Sequence, residues 1–219
     1  MLSIIIMKAL FYILVSLVSM NLPLLAADGN AAAVLEQINL ARVSPARYAE
    51  TLARCMEGVR LREGGRSLDE AIAFLRRASP LQPLSFSEAM ASGAMRHVED
   101  QGSAGTFGHK GSDHSSPWDR MAGVGKWTGA AGENISYGYS DAQRIVATLI
   151  VDDGVRGRGH RKNIFNRSFG VAGIACGAHA RFGRMCVIDF AGGFVENAPA
   201  GDGRRTLAAA WTHKGLERL

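Results

Sequence analysis

Val151-Asp152-Asp153-Gly154-Val155-Arg156-Gly157-Arg158-Gly159-His160-Arg161-Lys162-Asn163-Ile164 decides the fold when read together with the upstream Gly132-Glu133-Asn134-Ile135. A carboxylate follows a glycine and precedes an asparagine in the second stretch; a histidine follows a glycine, with an asparagine close behind, in the first. Such pairings describe a built polar site rather than a solvated face. Between them, residues 140–153 read as a helix with Ile145 and Leu149, or Val146 and Ile150, facing inward and Gly154 as its C-terminal stop. Two aspartates, Asp152 and Asp153, then stand at the negative end of the helix dipole, an unfavourable placement of ~0.3–1 kcal/mol each when exposed. They need compensation from Arg156, Arg158, Arg161 or a cation.

Upstream, Val34, Ile38 and Ala41 recur at helical spacing, and Ser44-Pro45 interrupts the backbone and restarts it as N-cap and first helical residue. Tyr48, Leu52 and Cys55 continue the apolar stripe. Ser67-Leu68-Asp69-Glu70 has the form of a capping box opening a second helix, with Leu68, Ile72 and Leu75 on one face. A similar box, Ser85-Phe86-Ser87-Glu88, opens a third that carries Ala91, Met95 and Val98 inward. Residues 102–115 are irregular, rich in glycine and serine, and hold His109, Asp113 and His114; residues 116–121 make a short helical turn. Downstream, residues 171–190 are β-like and punctuated by Gly170, Gly173 and Gly177. Helices first, then strands mixed with a helix, specify an α+β fold.

Two of the three cysteines flank a turn. For a hairpin centred on Arg181, Cys176 faces Cys186, Ile174 faces Ile188 and Ala172 faces Phe190, so a Cys176–Cys186 disulfide is expected in an oxidising compartment. Cys55, on a helical apolar face, is expected to remain a small buried hydrophobe.

That compartment is read from the start of the chain. Lys8, an uncharged apolar run to about Leu25 and the small residues Ala26 and Ala27 have the order of a secretory signal peptide, whether translation starts at Met1 or Met7. The run approaches the length of a membrane span, but Asn21 and Pro23 interrupt it, and no stable span is expected after cleavage. The expected organisation is a signal peptide over residues 1–27, one domain over residues 28–196 and a tail over residues 197–219, of which residues 207–219 are either a short helix or a frayed end. The formal net charge of +5 suits acidic surfaces without identifying one. The basic cluster Arg156, Arg158, Arg161 and Lys162 lacks interleaved aromatics, which with the export signal excludes nucleic acid.

Motifs of the form G-E-N-[IV] and G-H-R-x-N-I, in that order and joined by a helix, resemble the CAP superfamily of cysteine-rich secretory proteins, antigen 5 and pathogenesis-related proteins, in its bacterial SCP-like form. The resemblance runs from residues 38–42 to residues 188–194. It implies an α-β-α sandwich with a central polar cavity lined by two histidines and two acids. His109 matches the first histidine, Glu133 the first acid and His160 the second histidine. Asp152 is the nearest match to the second acid, shorter than the glutamate of many members and without the tryptophan one turn before it. Imidazole and carboxylate suit a zinc-like divalent ion, which makes His109, His160 and Glu133 the candidate metal ligands. The alternative is that these groups only satisfy one another and hold loops in place.

Three functions follow: an exported binding or interaction module for a metal, a small or lipid-like ligand, or an extracellular or envelope partner; a metal-assisted hydrolase with Glu133 as general base; or a structural envelope protein. No G-x-S-x-G elbow or H-E-x-x-H helix is present, so enzymatic activity is the weaker expectation. The secreted or periplasmic space is the expected location. Of the other histidines, His97 reads as a partly buried helix residue and His114 as lining the cavity mouth; His179 and His213 have no supporting context.

Overall fold

A computed structural model describes residues 29–197. The leader, both candidate start sites, His213 and the expected tail helix lie outside these residues. Eleven elements follow in order: α1 (Gly29–Val43), α2 (Pro45–Cys55), α3 (Gly65–Arg77), β1 (Ser85–Phe86), α4 (Glu88–Ala104), α5 (Pro117–Ala122), β2 (Gly125–Tyr137), α6 (Ala142–Val151), α7 (Gly159–Ile164), β3 (Val171–His179) and β4 (Gly183–Glu196). The sheet order is β1-β3-β4-β2, with β1 parallel to β3 and the other two pairings antiparallel.

Strand alternation divides the interior into two layers. Ile174, Cys176, Cys186, Ile188 and Phe190 face a core built with Val34, Ile38, Leu52, Leu75, Ile145 and Ile150 from α1, α2, α3 and α6. The alternate residues, Ala175, Met185 and Val187, face Ala94 and Val98 of α4. Met90, Met121, Val171 and Ala191 extend that second layer. This is the expected α+β sandwich. Gly173 and Gly177 permit the close approach of α4 to β3, because a Cβ at either position would collide with Met90 or Val98.

Pro45 opens α2 as its first helical residue. The β3–β4 register pairs Cys176 with Cys186, Ile174 with Ile188 and Ala172 with Phe190, and the two cysteines form a disulfide; Cys55 is free and half-buried. Several boundaries differ from expectation. The Ser67 box does not cap: α3 begins at Gly65, and the Ser67 hydroxyl instead donates to Asp153 Oδ1 at 2.9 Å. Ser85 and Phe86 form β1, and Ser87 is the N-cap of α4, its Oγ accepting from Met90 N. Parallel pairing with β3 takes the residues that local pattern assigns to a cap. Helix α6 starts at its N-cap Asp141 and ends at Asp152, whose φ of 55° places an aspartate, not Gly154, in the left-handed C-cap. The long strand β2 and the short helix α7 carry two of the candidate residues and are not marked by periodicity.

Buried Arg42 ties α1 to the far side of the fold. Its Nε donates to Gln82 O (3.0 Å), Nη1 to Ile164 O (2.7 Å) and Asn166 O (3.0 Å), and Nη2 to Phe169 O (3.1 Å). These carbonyls belong to the chain before β1, the end of α7 and the turn into β3. Among the described residues no helix is long and apolar enough to cross a membrane.

Candidate functional site

Two histidine–carboxylate pairs occupy the candidate positions. In the first, Glu133 projects from β2 with its side chain 2% exposed. His109 Nδ1 lies 2.6 Å from Oε1, and Arg120 Nη2 donates to Oε2 at 2.6 Å. A carboxylate only accepts, so the His109 Nδ1 carries a proton and Nε2 is the ring nitrogen left for a ligand. The imidazole itself is 54% exposed.

The loop bearing His109 is fastened by hydrogen bonds. Gly108 N donates to Tyr137 Oη at 3.0 Å, and Tyr137 Oη donates to Gln101 Oε1 at 3.0 Å. Gln101 Nε2 donates to Lys110 O at 3.2 Å. His97 lies 2.9 Å from Gly108 O through Nε2, which must be the protonated nitrogen. Arg120 Nη1 donates to His109 O and Ser115 O, both at 3.2 Å, so one guanidinium holds both the acid and the histidine's own backbone. His114 sits at the loop's far turn with φ 67°. Burial holds His97 below the ordinary imidazole range, keeping it neutral.

In the second pair, His160 Nδ1 lies 2.6 Å from Asp152 Oδ1, again as donor. Asp152 Oδ2 accepts the backbone N–H of His160 at 2.9 Å and that of Arg161. The helix-end aspartate thus faces the first amides of α7, which supply part of the compensation its position demands. The arginines supply the rest by covering the last carbonyls of α6: Arg158 Nη1 donates to Asp152 O (2.8 Å), Arg161 Nε to Ile150 O (2.6 Å) and Arg161 Nη2 to Val151 O (3.1 Å). Glu63 and Glu70 pair with Arg158, and Glu70 with Arg161. Asp153 takes no part in the pair; it accepts from Arg62 N, Glu63 N and Ser67 Oγ. The Asp152 side chain is 1% exposed and that of His160 26%.

The two pairs are linked through asparagines. Asn134 Nδ2 donates to His160 O at 3.0 Å, and Asn163 Nδ2 donates to Asn134 Oδ1 at 2.8 Å and Glu133 O at 3.2 Å. A cavity of about 470 Å³ is lined by Asp152 and His160 together with Leu61, Tyr137, Tyr139 and Leu149; His109 and Glu133 are not part of its wall. Among the described residues no three His, Cys, Asp or Glu side chains converge as a metal-holding group. A divalent ion at this site would therefore rely on imidazole Nε2 atoms and water.

Arg120 is a site residue that sequence reading did not single out, whereas Asn163 stands in the G-H-R-x-N-I motif without a role being assigned to it there. Ser116-Pro117 and Asp119 mark the start of α5 by a capping box, but nothing local marks Arg120 as buried and inward-facing. His179 is structural: its Nδ1 accepts from Arg181 N and Phe182 N at 3.1 Å each and stiffens the hairpin turn.

The family model CAP, cysteine-rich secretory protein family, matches residues 40–190. The chain is 30% identical over 99 residues to the uncharacterized protein YkwD of Bacillus subtilis (strain 168), a match covering 45% of this chain and 37% of that relative. Among solved structures it is similar to an extracellular protein containing an SCP domain from Bacillus anthracis str. Ames (23% identity, 57% of this chain and 39% of that one, TM-score 0.43). It is also similar to a cysteine-rich secretory protein from Staphylococcus aureus (13%, 78% and 41%, TM-score 0.44). An outer surface protein from Borrelia burgdorferi matches at 14% identity over 53% of this chain and 80% of that one, with a TM-score of 0.44.

Proposed function

Since this chain belongs to the CAP, or cysteine-rich secretory protein, family, we propose that it is an exported binding module whose ligand-facing groups are the His109 and His160 imidazoles. The observation that carries this reading is their common arrangement. Each Nδ1 is held at 2.6 Å by a buried carboxylate, Glu133 or Asp152, while each ring is partly exposed. That is the outer-shell geometry that fixes tautomer and orientation in metal-binding histidines. A divalent, zinc-like ion would be held by the His109 and His160 Nε2 atoms with water completing the coordination, a donor set that such an ion accepts. The ion would supply Lewis acidity to a bound ligand. Glu133 and Asp152 then orient the imidazoles and are not themselves ligands.

The engagement of both Glu133 oxygens favours binding over hydrolysis. Both oxygens of Glu133 already accept, from Arg120 and His109, so a water to be activated would have to compete with those donors. The cavity beside His160, with Tyr137, Tyr139, Leu61 and Leu149 in its wall, suits a small ligand with an apolar part.

Calorimetric zinc titration tests the reading on wild type, His109→Ala, His160→Ala and Glu133→Gln, each first shown to be folded by circular dichroism. Either histidine change is expected to abolish most binding, and Glu133→Gln to weaken it by about 10–100-fold. Affinity should fall as pH drops through the imidazole range, because the ligating nitrogens must be neutral. No zinc binding near neutral pH in wild type, or unchanged affinity in the folded histidine variants, sinks the metal site and leaves the pairs as scaffolding.

A further inference from the structure

Asp189 lies directly opposite Glu133 in the β2–β4 register and opposite Gly173 in the β3–β4 register. It is wholly buried, and neither of its oxygens meets a hydrogen-bond donor among the described residues. Helix α4 closes this side of the sheet: because position 173 is glycine, the backbone at Met90 and Ala91 packs straight onto β3. The charged and titratable groups around the position are Glu133 from β2, Arg120 from α5, and, next to Glu133, His97 from α4 and His109 from the loop. Arg120 gives its Nη2 to Glu133, not to Asp189.

An ionised Asp189 would be a charge without a donor, in an apolar layer, beside a second carboxylate. That combination is not sustained in a protein interior; the group takes up a proton instead. Once protonated, Asp189 becomes a hydroxyl donor, and Glu133 is the acceptor within reach. The geometry points to Asp189 as a positioning residue of the His109 site, a protonated carboxyl that donates its hydrogen bond to Glu133 and fixes that carboxylate between Arg120 and His109. This rests on the Glu133–His109 pair having the orienting role given above. Burial first, and the Glu133 charge second, push Asp189 well above the ordinary carboxylate range, in keeping with this assignment.

Glu133 is thereby held from three sides: by Asp189 from β4, by Arg120 from α5 and by His109 from the loop. A carboxylate restrained in this way cannot rotate to pair with a passing cation, so its fixed oxygen sets the direction of the His109 ring. A strand residue in the second layer thus reaches the exposed imidazole through a single intermediary.

NMR on the metal-free full chain tests the assignment, so its outcome is independent of the zinc titration. With ¹³C-labelled aspartate, the Asp189 carboxyl resonance is expected to stay at its protonated position between about pH 5 and pH 8, where ordinary aspartates are ionised. The downfield His109 Nδ1–H proton reports the bond to Glu133. It should persist in Asp189→Asn, whose amide also donates, and be lost or displaced in Asp189→Leu, which cannot donate. An ionised Asp189 resonance at neutral pH overturns the proposal. So does a His109 signal that is equal in wild type, Asn and Leu variants, or one lost in Asn and kept in Leu. If neither variant folds, the wild-type carboxyl resonance alone decides.

Discussion

Glu133 and Asn134, adjacent in β2, serve opposite faces of the sheet: Glu133 holds His109 and Arg120 on the α4–α5 side, while Asn134 donates to the His160 carbonyl on the α6–α7 side. The period of two in a strand turns a dipeptide into a link between layers. It explains why a carboxylate and an amide must stand side by side in the sequence. Glu133 orients the His109 ring and Asn134 anchors the His160 backbone, and a shift of register by one residue would exchange their faces.

Asn134→Ala should therefore act on the His160 half while leaving the His109–Glu133 bond in place. Asn134 is fully buried, and its removal strands the His160 carbonyl and one Asn163 donor. We expect a loss of about 1–3 kcal/mol in urea unfolding. The His109 Nδ1–H resonance should be unchanged. A stability within a few tenths of a kcal/mol of wild type would show that the bridge contributes nothing.

Arg42→Met leaves four carbonyls without their common donor at a position where water cannot replace it. Arg42 is 1% exposed, and burial alone lowers its pKa, yet it remains charged because its carbonyl partners stabilise the cation. The expected cost is about 1–3 kcal/mol for each buried carbonyl left without another donor. Arg42→Lys should recover only part of it, because an ammonium cannot reach the carbonyls of Gln82, Ile164, Asn166 and Phe169 together. Equal urea midpoints for the Lys variant and wild type would refute the clamp.

How much of this was legible in the sequence depends on whether the partner of a residue is local. The hairpin register followed from the turn at Arg181 alone, and the disulfide with it. Glu133 and His160, each preceded by a glycine with an asparagine close behind, announced a polar site. Ser67, by contrast, has the form of a cap, but its hydroxyl is taken by Asp153 from the far end of α6, a partner 86 positions away. Ser85 loses its capping role to parallel pairing with Val171. Arg120 and Asp189 carry no local signal, since their burial is created by α4 crossing the sheet. Asp152 as a left-handed cap was hidden by the glycine two positions later.

Reduction of Cys176–Cys186 should destabilise the hairpin that carries β4. Closing a loop with a sequence separation of 10 is worth about 2–3 kcal/mol in the unfolded chain. The Cys176→Ser, Cys186→Ser double variant is expected to lose that amount and to remain folded, because the surrounding strand pairs persist. Thiol titration of unreduced, denatured protein should find Cys55 as the free thiol. In the native state Cys55 should react slowly, since burial raises its pKa. Three titratable thiols before reduction would contradict the pairing.

His97 makes the loop that carries His109 sensitive to acid. Its Nε2–H fastens Gly108 O, and its buried Nδ1 has no hydrogen-bond partner among the described residues, so protonation would create a buried cation with an unsatisfied N–H. Burial depresses the His97 pKa, with Arg120 adding to the effect and the Gly108 bond, Glu133 and Asp100 opposing it. Between the depressed folded value and the ordinary unfolded one the unfolded chain binds more protons, so stability rises with pH across that window. The contribution is complete above the ordinary imidazole range, near ~6.5, and is lost as pH falls from there through the folded-state value. His97→Gln can still donate to Gly108 O but does not titrate. Urea midpoints measured from about pH 8 down to about pH 4 should therefore fall more steeply for wild type than for His97→Gln. Parallel curves for the two proteins would place the acid sensitivity elsewhere.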